Sequence, residues 1–138
     1  MNNKDISVIL LLYKTPKKLL KNLEKYRNFK ILILNQSNDN ELKNWVKKKF
    51  KKVQFFGSLD KNVGFAKGIN FLVKKTKTKF FLCTQPDVLI SENSIKILKK
   101  TLITNKNCII SVPQINPSKK KKGQEFVDNF YGGIFYGR

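Results

Sequence analysis

The run Ile6-Ser7-Val8-Ile9-Leu10-Leu11-Leu12-Tyr13 constrains the fold more than any other stretch. It is apolar almost without interruption and β-branched at its start. Such a run is too short for a membrane-spanning helix and fits a strand buried on both faces, as in a parallel sheet covered by helices. Lys14-Thr15-Pro16 ends it. Pro16 suits the first turn of a helix, with Thr15 as its N-cap. Leu19, Leu20, Leu23 and Tyr26 then recur at helical spacing, with lysines between them.

The same alternation continues along the chain. Residues 30–34 read as a second strand ending in Asn35-Gln36-Ser37-Asn38-Asp39, a polar turn. Leu42, Trp45, Val46 and Phe50 mark a helix capped by Asp39 or Asn40, with Trp45 in its core stripe. A third strand over 53–57 leads to a helix over 66–75 that turns Ala66, Ile69, Leu72 and Val73 inward. Residues 79–84 form a fourth strand, Ser91 caps a helix carrying Ile95, Leu98 and Leu102, and 108–112 form a fifth strand. Strands and helices in this order imply β-α-β units and a largely parallel sheet. Ligands of such sheets bind beyond the carboxyl ends of the strands. Tyr13, the turn at 35–39, the stretch around Asn62 and residues 85–87 all follow strand ends, so four polar clusters converge on one edge.

The most chemically suggestive of these is Asn62-Val63-Gly64-Phe65-Ala66-Lys67-Gly68-Ile69-Asn70, at a strand-to-helix junction. Gly64 and Gly68 allow close approach of a neighbour or a ligand. A helix N-terminus there points free N–H groups at an anion, and Lys67 adds a point charge, which together suit a phosphate or diphosphate. Asn and Gly are also ordinary turn residues, and the stretch alone reads equally as a plain turn. Thr84-Gln85-Pro86-Asp87, after another strand, supplies a second polar cluster.

Length and composition set the remaining bounds. At 138 residues the chain is one domain, 1–138. Its motif-bearing core spans 6–113, followed by a basic loop and aromatic tail over 114–138. Residues 119–122 are a solvated lysine run. The tail, rich in Phe, Tyr and Gly, suits an edge strand. Cys83 and Cys108 fall in apolar runs and read as buried free thiols. The chain contains no histidine, which excludes zinc hydrolysis and Ser–His–Asp chemistry within it. No signal peptide or transmembrane run is apparent, which gives an expectation of a cytoplasmic protein. The formal charge of +20 admits an anionic membrane surface as a partner, at the inner membrane face. It invites a nucleic-acid partner too, but the composition disfavours one, because nearly all basic residues are dispersed lysines and only Arg27 and Arg138 offer bidentate forks.

Taken in order, these motifs resemble the N-terminal, donor-binding half of the family 2 glycosyltransferases, the inverting GT-A type, on the rhamnosyltransferase-like side. ISVILLLYKTPKKLLKNL resembles that family's first strand and helix, ILILNQSND its second strand and turn, NVGFAKGIN its Asn-x-Gly-x-x-x-Gly-x-Asn stretch, and FFLCTQPDVLI the strand leading to its metal-binding aspartate. The resemblance covers 6–113. It implies a Rossmann-like α/β/α sandwich of the nucleotide-diphospho-sugar transferase type, with a mostly parallel sheet truncated at the C-terminus. It further implies a UDP- or dTDP-sugar donor and a glycan or lipid-linked acceptor. Tyr13, Asn35 and Ser37 would lie along the nucleoside, Asn62, Gly64, Lys67 and Asn70 would line the nucleotide-sugar pocket, and Asp87 would hold Mg²⁺ or Mn²⁺. Asn35 stands where the family carries an acidic residue, Gln85 where Asn is commoner, and no second Asp adjoins Asp87. The general base of an inverting transfer has no match here: Glu125 and Asp128 sit in no matching motif, so the base is expected outside this chain, an expectation that allows for an isolated chain inactive alone. The alternatives are a non-catalytic nucleotide-binding module and a basic nucleic-acid or anionic-surface binder.

Overall fold

The computed structural model describes residues 3–57, 61–113 and 132–136, the last of these by backbone. Six strands form one sheet: β1 (Ile6–Leu12), β2 (Lys30–Asn35), β3 (Val53–Phe56), β4 (Phe80–Thr84), β5 (Ile110–Ser111) and β6 (Gly132–Tyr136), in spatial order β3-β2-β1-β4-β6-β5. β1, β2, β3 and β4 are parallel, with Leu12 opposite Asn35 and Leu10 opposite Thr84. β6 runs antiparallel between β4 and β5. The aromatic tail therefore contributes an interior strand where an edge strand was expected. β5 itself is shorter than the apolar run at 108–112. A turn consumes the start of that run: the Cys108 amide donates to the Asn105 carbonyl at 2.8 Å, and its thiol donates to the Ile110 carbonyl.

Period-two alternation on β1 sends its side chains to two different cores. Ile6, Val8, Leu10 and Leu12 join Ile31, Ile33, Phe80 and Leu82 beneath α1 (Asn40–Lys49), α3 (Glu92–Thr104) and a 3₁₀ segment (Leu19–Tyr26). Ile9 joins Leu32, Leu34, Phe81 and Cys83 beneath α2 (Phe65–Lys75), which buries Leu72. The result is the α/β/α sandwich implied by the first strand. Trp45 packs against the larger core, edge-on to Phe50.

The helix signals are met unequally. The Asp39 carboxylate accepts from the Leu42 amide at 2.8 Å, and the Ser91 hydroxyl from the Ser94 amide at 3.0 Å, so both cap as their spacing predicts. Thr15 does not cap. Its hydroxyl accepts from the Tyr13 amide, and the segment that follows is 3₁₀ rather than α, its first bond running from the Leu19 amide to the Pro16 carbonyl. Ala66 is exposed rather than inward. In its place Gly68 faces the sheet, where a Cβ would come within 2.7 Å of a Leu11 methyl. The glycine at 68 thus serves helix–strand approach. Both cysteines are free. Cys83 is buried, which pushes its thiol up to about 11, while Cys108 is half-buried.

Candidate functional site

The strand order reverses direction between β1 and β4: β2 and β3 lie to one side of β1, β4 to the other. Beyond the carboxyl ends of these two strands lies a cleft of about 380 Å³. Such a switch point is where open α/β sheets receive ligands. The end of β1 supplies Leu11, Leu12, Tyr13 and Lys14, the end of β2 supplies Gln36, the start of α2 supplies Asn62, Gly64 and Phe65, and the end of β4 supplies Thr84, Gln85, Pro86 and Asp87. All four polar clusters reach this cleft, the turn at 35–39 through Gln36 alone.

Each wall is held by bonds that the local sequence dictates. Gly64 has φ +82° and ψ 173°, a region open essentially to glycine alone, and it starts α2. The Asn62 side chain accepts from the Gly64 amide at 2.9 Å, an Asx turn that shapes this entry. Gln36, buried at the end of β2, accepts from the Val63 amide at 3.0 Å and so ties the loop to the sheet. On the opposite wall, the 3₁₀ segment pins the strand-β4 exit. Asn22 donates to the Pro86 carbonyl at 3.0 Å, and the Tyr26 hydroxyl donates to the Val88 carbonyl and accepts from the Ile90 amide. Asp87 is thereby presented, exposed, from a backbone anchored on both sides of it.

Asp87 makes no ion pair and no hydrogen bond among the described residues, although the chain carries a formal charge of +20. Lys14 is the other charged residue lining the cleft. It adopts φ +49°, its amide donates to the Ser37 hydroxyl at 3.2 Å, and its ammonium lies 5.4 Å from the centre of the Tyr13 ring. Tyr13 and Phe65 expose 49% and 60% of their surfaces at the cleft, enough ring to cover a planar or saccharide ligand.

Asn35 and Ser37 are placed differently. They border a second, polar hollow of about 280 Å³ with Asp39, Asn40, Lys43, Phe55 and Gly57. Asn35 is buried, and its carbonyl oxygen accepts from both the amide and the hydroxyl of Ser37, while its NH₂ group donates to the Ser37 carbonyl. Its amide closes a local turn and is largely used up there. Lys67 and Asn70 are exposed on α2 and line neither hollow. Asp60, Glu125, Asp128, the Asn116-Pro117-Ser118 turn and the lysine run at 119–122 lie outside the described residues.

Lys14 and Phe65 were not singled out by sequence reasoning as site residues, Gln36 and Thr84 were read only as members of polar clusters with no role of their own, and Asn22 was not read as a positioning residue. A lone polar residue ending an apolar run carries no spacing signal. The partners of Asn22 lie 64 positions away and are invisible without the topology.

No group of three or more His, Cys, Asp or Glu side chains among the described residues could enclose a metal. What the cleft offers a cation is one free carboxylate, with the Gln85 amide close by in sequence. That donor set fits a hard divalent ion of the Mg²⁺ or Mn²⁺ kind only when a bound diphosphate provides further oxygens, the usual mode for Mg²⁺.

Comparison with known proteins gives a consistent picture. The chain matches Glycosyl transferase family 2 over residues 7–135. Comparison with curated proteins gives no match. Among solved structures, it superposes on a mannosyltransferase from Pyrobaculum calidifontis in complex with GDP-Man and Mn²⁺, with TM-score 0.72 and 10% identity, covering 96% of this chain and 44% of that one. It also superposes on S. aureus TarS residues 1–349 in complex with UDP-GlcNAc, with TM-score 0.66 and 19% identity, covering 90% and 37%. A complex of the same TarS segment with UDP gives TM-score 0.62 and 21% identity. At these identities the likeness establishes a shared GT-A fold. The chain spans less than half the length of these neighbours.

Proposed function

The chain belongs to glycosyl transferase family 2, and from that premise we propose that it binds a nucleotide-diphosphate sugar in the switch-point cleft and presents it for inverting transfer of a hexosyl or rhamnosyl group. The observation that carries this reading is Asp87: an exposed, unpaired carboxylate in a strongly basic chain, held at the mouth of a cleft where α/β sheets take ligands. Neighbours solved with GDP-Man and Mn²⁺, and with UDP-GlcNAc, support it by analogy of fold.

Each residue then has a task. Tyr13 and Phe65 would cover the faces of the nucleoside and the sugar. The Lys14 ammonium and the N-terminal amides of α2 would offset diphosphate charge, which grows as the bond to the sugar breaks. Asn62, Gly64 and Gln36 would keep those amides aimed. Asn35 and Ser37 would border the nucleoside as a braced turn, and Lys67 and Asn70 would serve a ligand that overhangs the start of α2. A divalent cation bound by Asp87 and diphosphate oxygens would supply further stabilisation of the leaving group. With Asp87 so engaged, no carboxylate among the described residues of the cleft is left to deprotonate an acceptor hydroxyl. The base would therefore come from elsewhere, and a glycan or lipid-linked acceptor from the family's chemistry. The dispersed lysines and the lack, among the described residues, of any helix long and apolar enough to cross a membrane accord with a peripheral place at an anionic membrane surface.

A second reading is favoured by Asn35, whose amide is spent on its own turn, and by the single carboxylate at the cleft. On that reading the chain binds the nucleotide without transferring the sugar, and slow hydrolysis of bound donor separates the two.

Thermal unfolding with UDP, dTDP or GDP, with and without Mn²⁺, tests donor binding. A ligand at a hundred times its Kd adds about 2.7 kcal/mol to the folded state. We expect one nucleotide to raise the midpoint in a metal-dependent way and Asp87→Asn to abolish the metal-dependent part. An unchanged metal dependence in the variant refutes the role of Asp87.

A further inference from the structure

Thr84 ends β4 and lines the cleft while exposing only 3% of its surface. Its hydroxyl oxygen is buried and has no hydrogen-bond partner among the described residues. It is the exception there. Other buried polar side chains are matched: the Ser7 hydroxyl accepts from Thr78 at 2.7 Å, Asn35 and Gln36 bond their loops, and Lys99 bonds Asp5. A buried hydroxyl left unmatched is unfavourable, and valine would fill the same space without that penalty. Packing therefore gives no reason for threonine at this position.

The register shows why its described strand neighbours do not satisfy it. Thr84 lies opposite Leu10 on β1 and Gly132 on β6. The first neighbour has an apolar side chain and the second has none. Strand alternation puts Thr84 on the face of Phe80 and Leu82, where Leu12 and Leu19 also border the cleft. A 120° step about χ1 carries the hydroxyl into the place of the methyl and the methyl into that of the hydrogen, so the hydroxyl has more than one staggered direction in which to meet a ligand.

We propose that the Thr84 hydroxyl is a binding contact, taking an oxygen of the bound nucleotide sugar at the floor of the cleft. The assignment rests on the donor-binding reading above. A hydroxyl donates one hydrogen bond and accepts two, which suits either a phosphate oxygen or a sugar hydroxyl. In a water-poor floor lined by leucines, such a bond discriminates strongly for a ligand that completes it.

The test uses the full chain and its Thr84→Val and Thr84→Ser variants, titrated calorimetrically with UDP, GDP, UDP-GlcNAc and GDP-mannose in the presence of Mn²⁺. We expect Thr84→Val to unfold at the same or a higher temperature without ligand, yet to bind whichever of these the parent chain binds about three- to tenfold more weakly. Thr84→Ser restores the affinity. Weakening towards both the diphosphate and its sugar assigns the contact to phosphate, and weakening towards the sugar alone assigns it to a sugar hydroxyl. Equal affinity in Thr84→Val overturns the assignment while leaving donor binding intact, and so does a lower unfolding temperature without ligand. A parent chain that binds none of these four, nor dTDP titrated in the same way, refutes donor binding itself and this contact with it.

Discussion

Replacing Gly64 by alanine isolates the strain of a single peptide unit at the mouth of the cleft. At φ +82° and ψ 173° the backbone lies where a side chain is rarely tolerated, and a Cβ built there meets nothing within 4 Å. Steric crowding by neighbours is thus absent, and the whole penalty is conformational, about 1–3 kcal/mol. Alanine also restricts the unfolded chain, which returns about 0.4–1 kcal/mol. The net expectation is a loss of about 1–2 kcal/mol. With a urea m-value near ~2 kcal/mol/M, the midpoint moves down by about 0.5–1 M with the slope unchanged. Trp45, packed against the larger core, reports the transition by fluorescence. Gly57→Ala is the matched control. Gly57 has no positive φ and its Cβ would meet only the Lys43 ammonium at 3.9 Å, so it should be neutral or slightly stabilising. A Gly64→Ala midpoint within about 0.2 M of the parent, or an equal loss in Gly57→Ala, would show that the left-handed entry to α2 carries no such strain.

Two further outcomes concern the base of the sheet. Lys99 is almost wholly buried at 6% side-chain exposure and bonds both oxygens of Asp5, which is 40% exposed. Asp5→Asn should lose about 1–3 kcal/mol, between the values for exposed and buried pairs, while Lys99→Met stays within about 1 kcal/mol of the parent; equal losses in denaturant melts would contradict this. Hydrogen bonds from Asn3, then Asn28 and Lys96, hold the Glu92 carboxyl down at about 2 against an ordinary 4.5. In that interval the unfolded chain takes a proton that the folded chain refuses, so stability present above pH 4.5 drains away as pH falls towards 2. Glu92→Gln should flatten the melting temperature against pH over that window, and an unaltered slope would mean Glu92 is not the group responsible.

Much of this architecture could be read from the chain because the relevant signals are local. A doubly buried strand needs an apolar run, which Ile6 to Leu12 supplies, and an N-cap needs a short acceptor before a helix, which Asp39 and Ser91 supply. Where the outcome depended on which partner a group takes in the fold, near or far in sequence, the spacing did not reveal it. Ala66 was expected inward from its helical spacing with Ile69 and Val73. The helix begins at Phe65, and Gly68 faces the sheet because Leu11 needs the space. Thr15 looked like a cap, but its hydroxyl is spent on the Tyr13 amide. Asn35 was expected along the nucleoside, and the structure adds that Ser37 beside it takes up both lone pairs of its carbonyl. Asp87 was legible as chemistry from its motif. That it sits across a cleft from Gln36 and Lys14 was not, because only the parallel register of β1 with β2 and β4 brings them together.

The antiparallel strand β6 changes what counts as the minimal folding unit. The recognisable motifs end by residue 113, yet β6 is the partner of β4 on one side and the pairing strand of β5 on the other. A chain cut after those motifs would leave the ladder of Phe80–Thr84 open along its length, a flat apolar edge of the sort that pairs with other chains and aggregates. It would also leave β5 with no strand to join among those described. During synthesis the β1–β4 half can close early, while the edge beside Thr84 stays uncovered until the segment at 132–136 arrives. Solubility, and not only the geometry of the cleft, thus depends on a segment beyond the motifs read from the sequence, although it falls within the family match over 7–135.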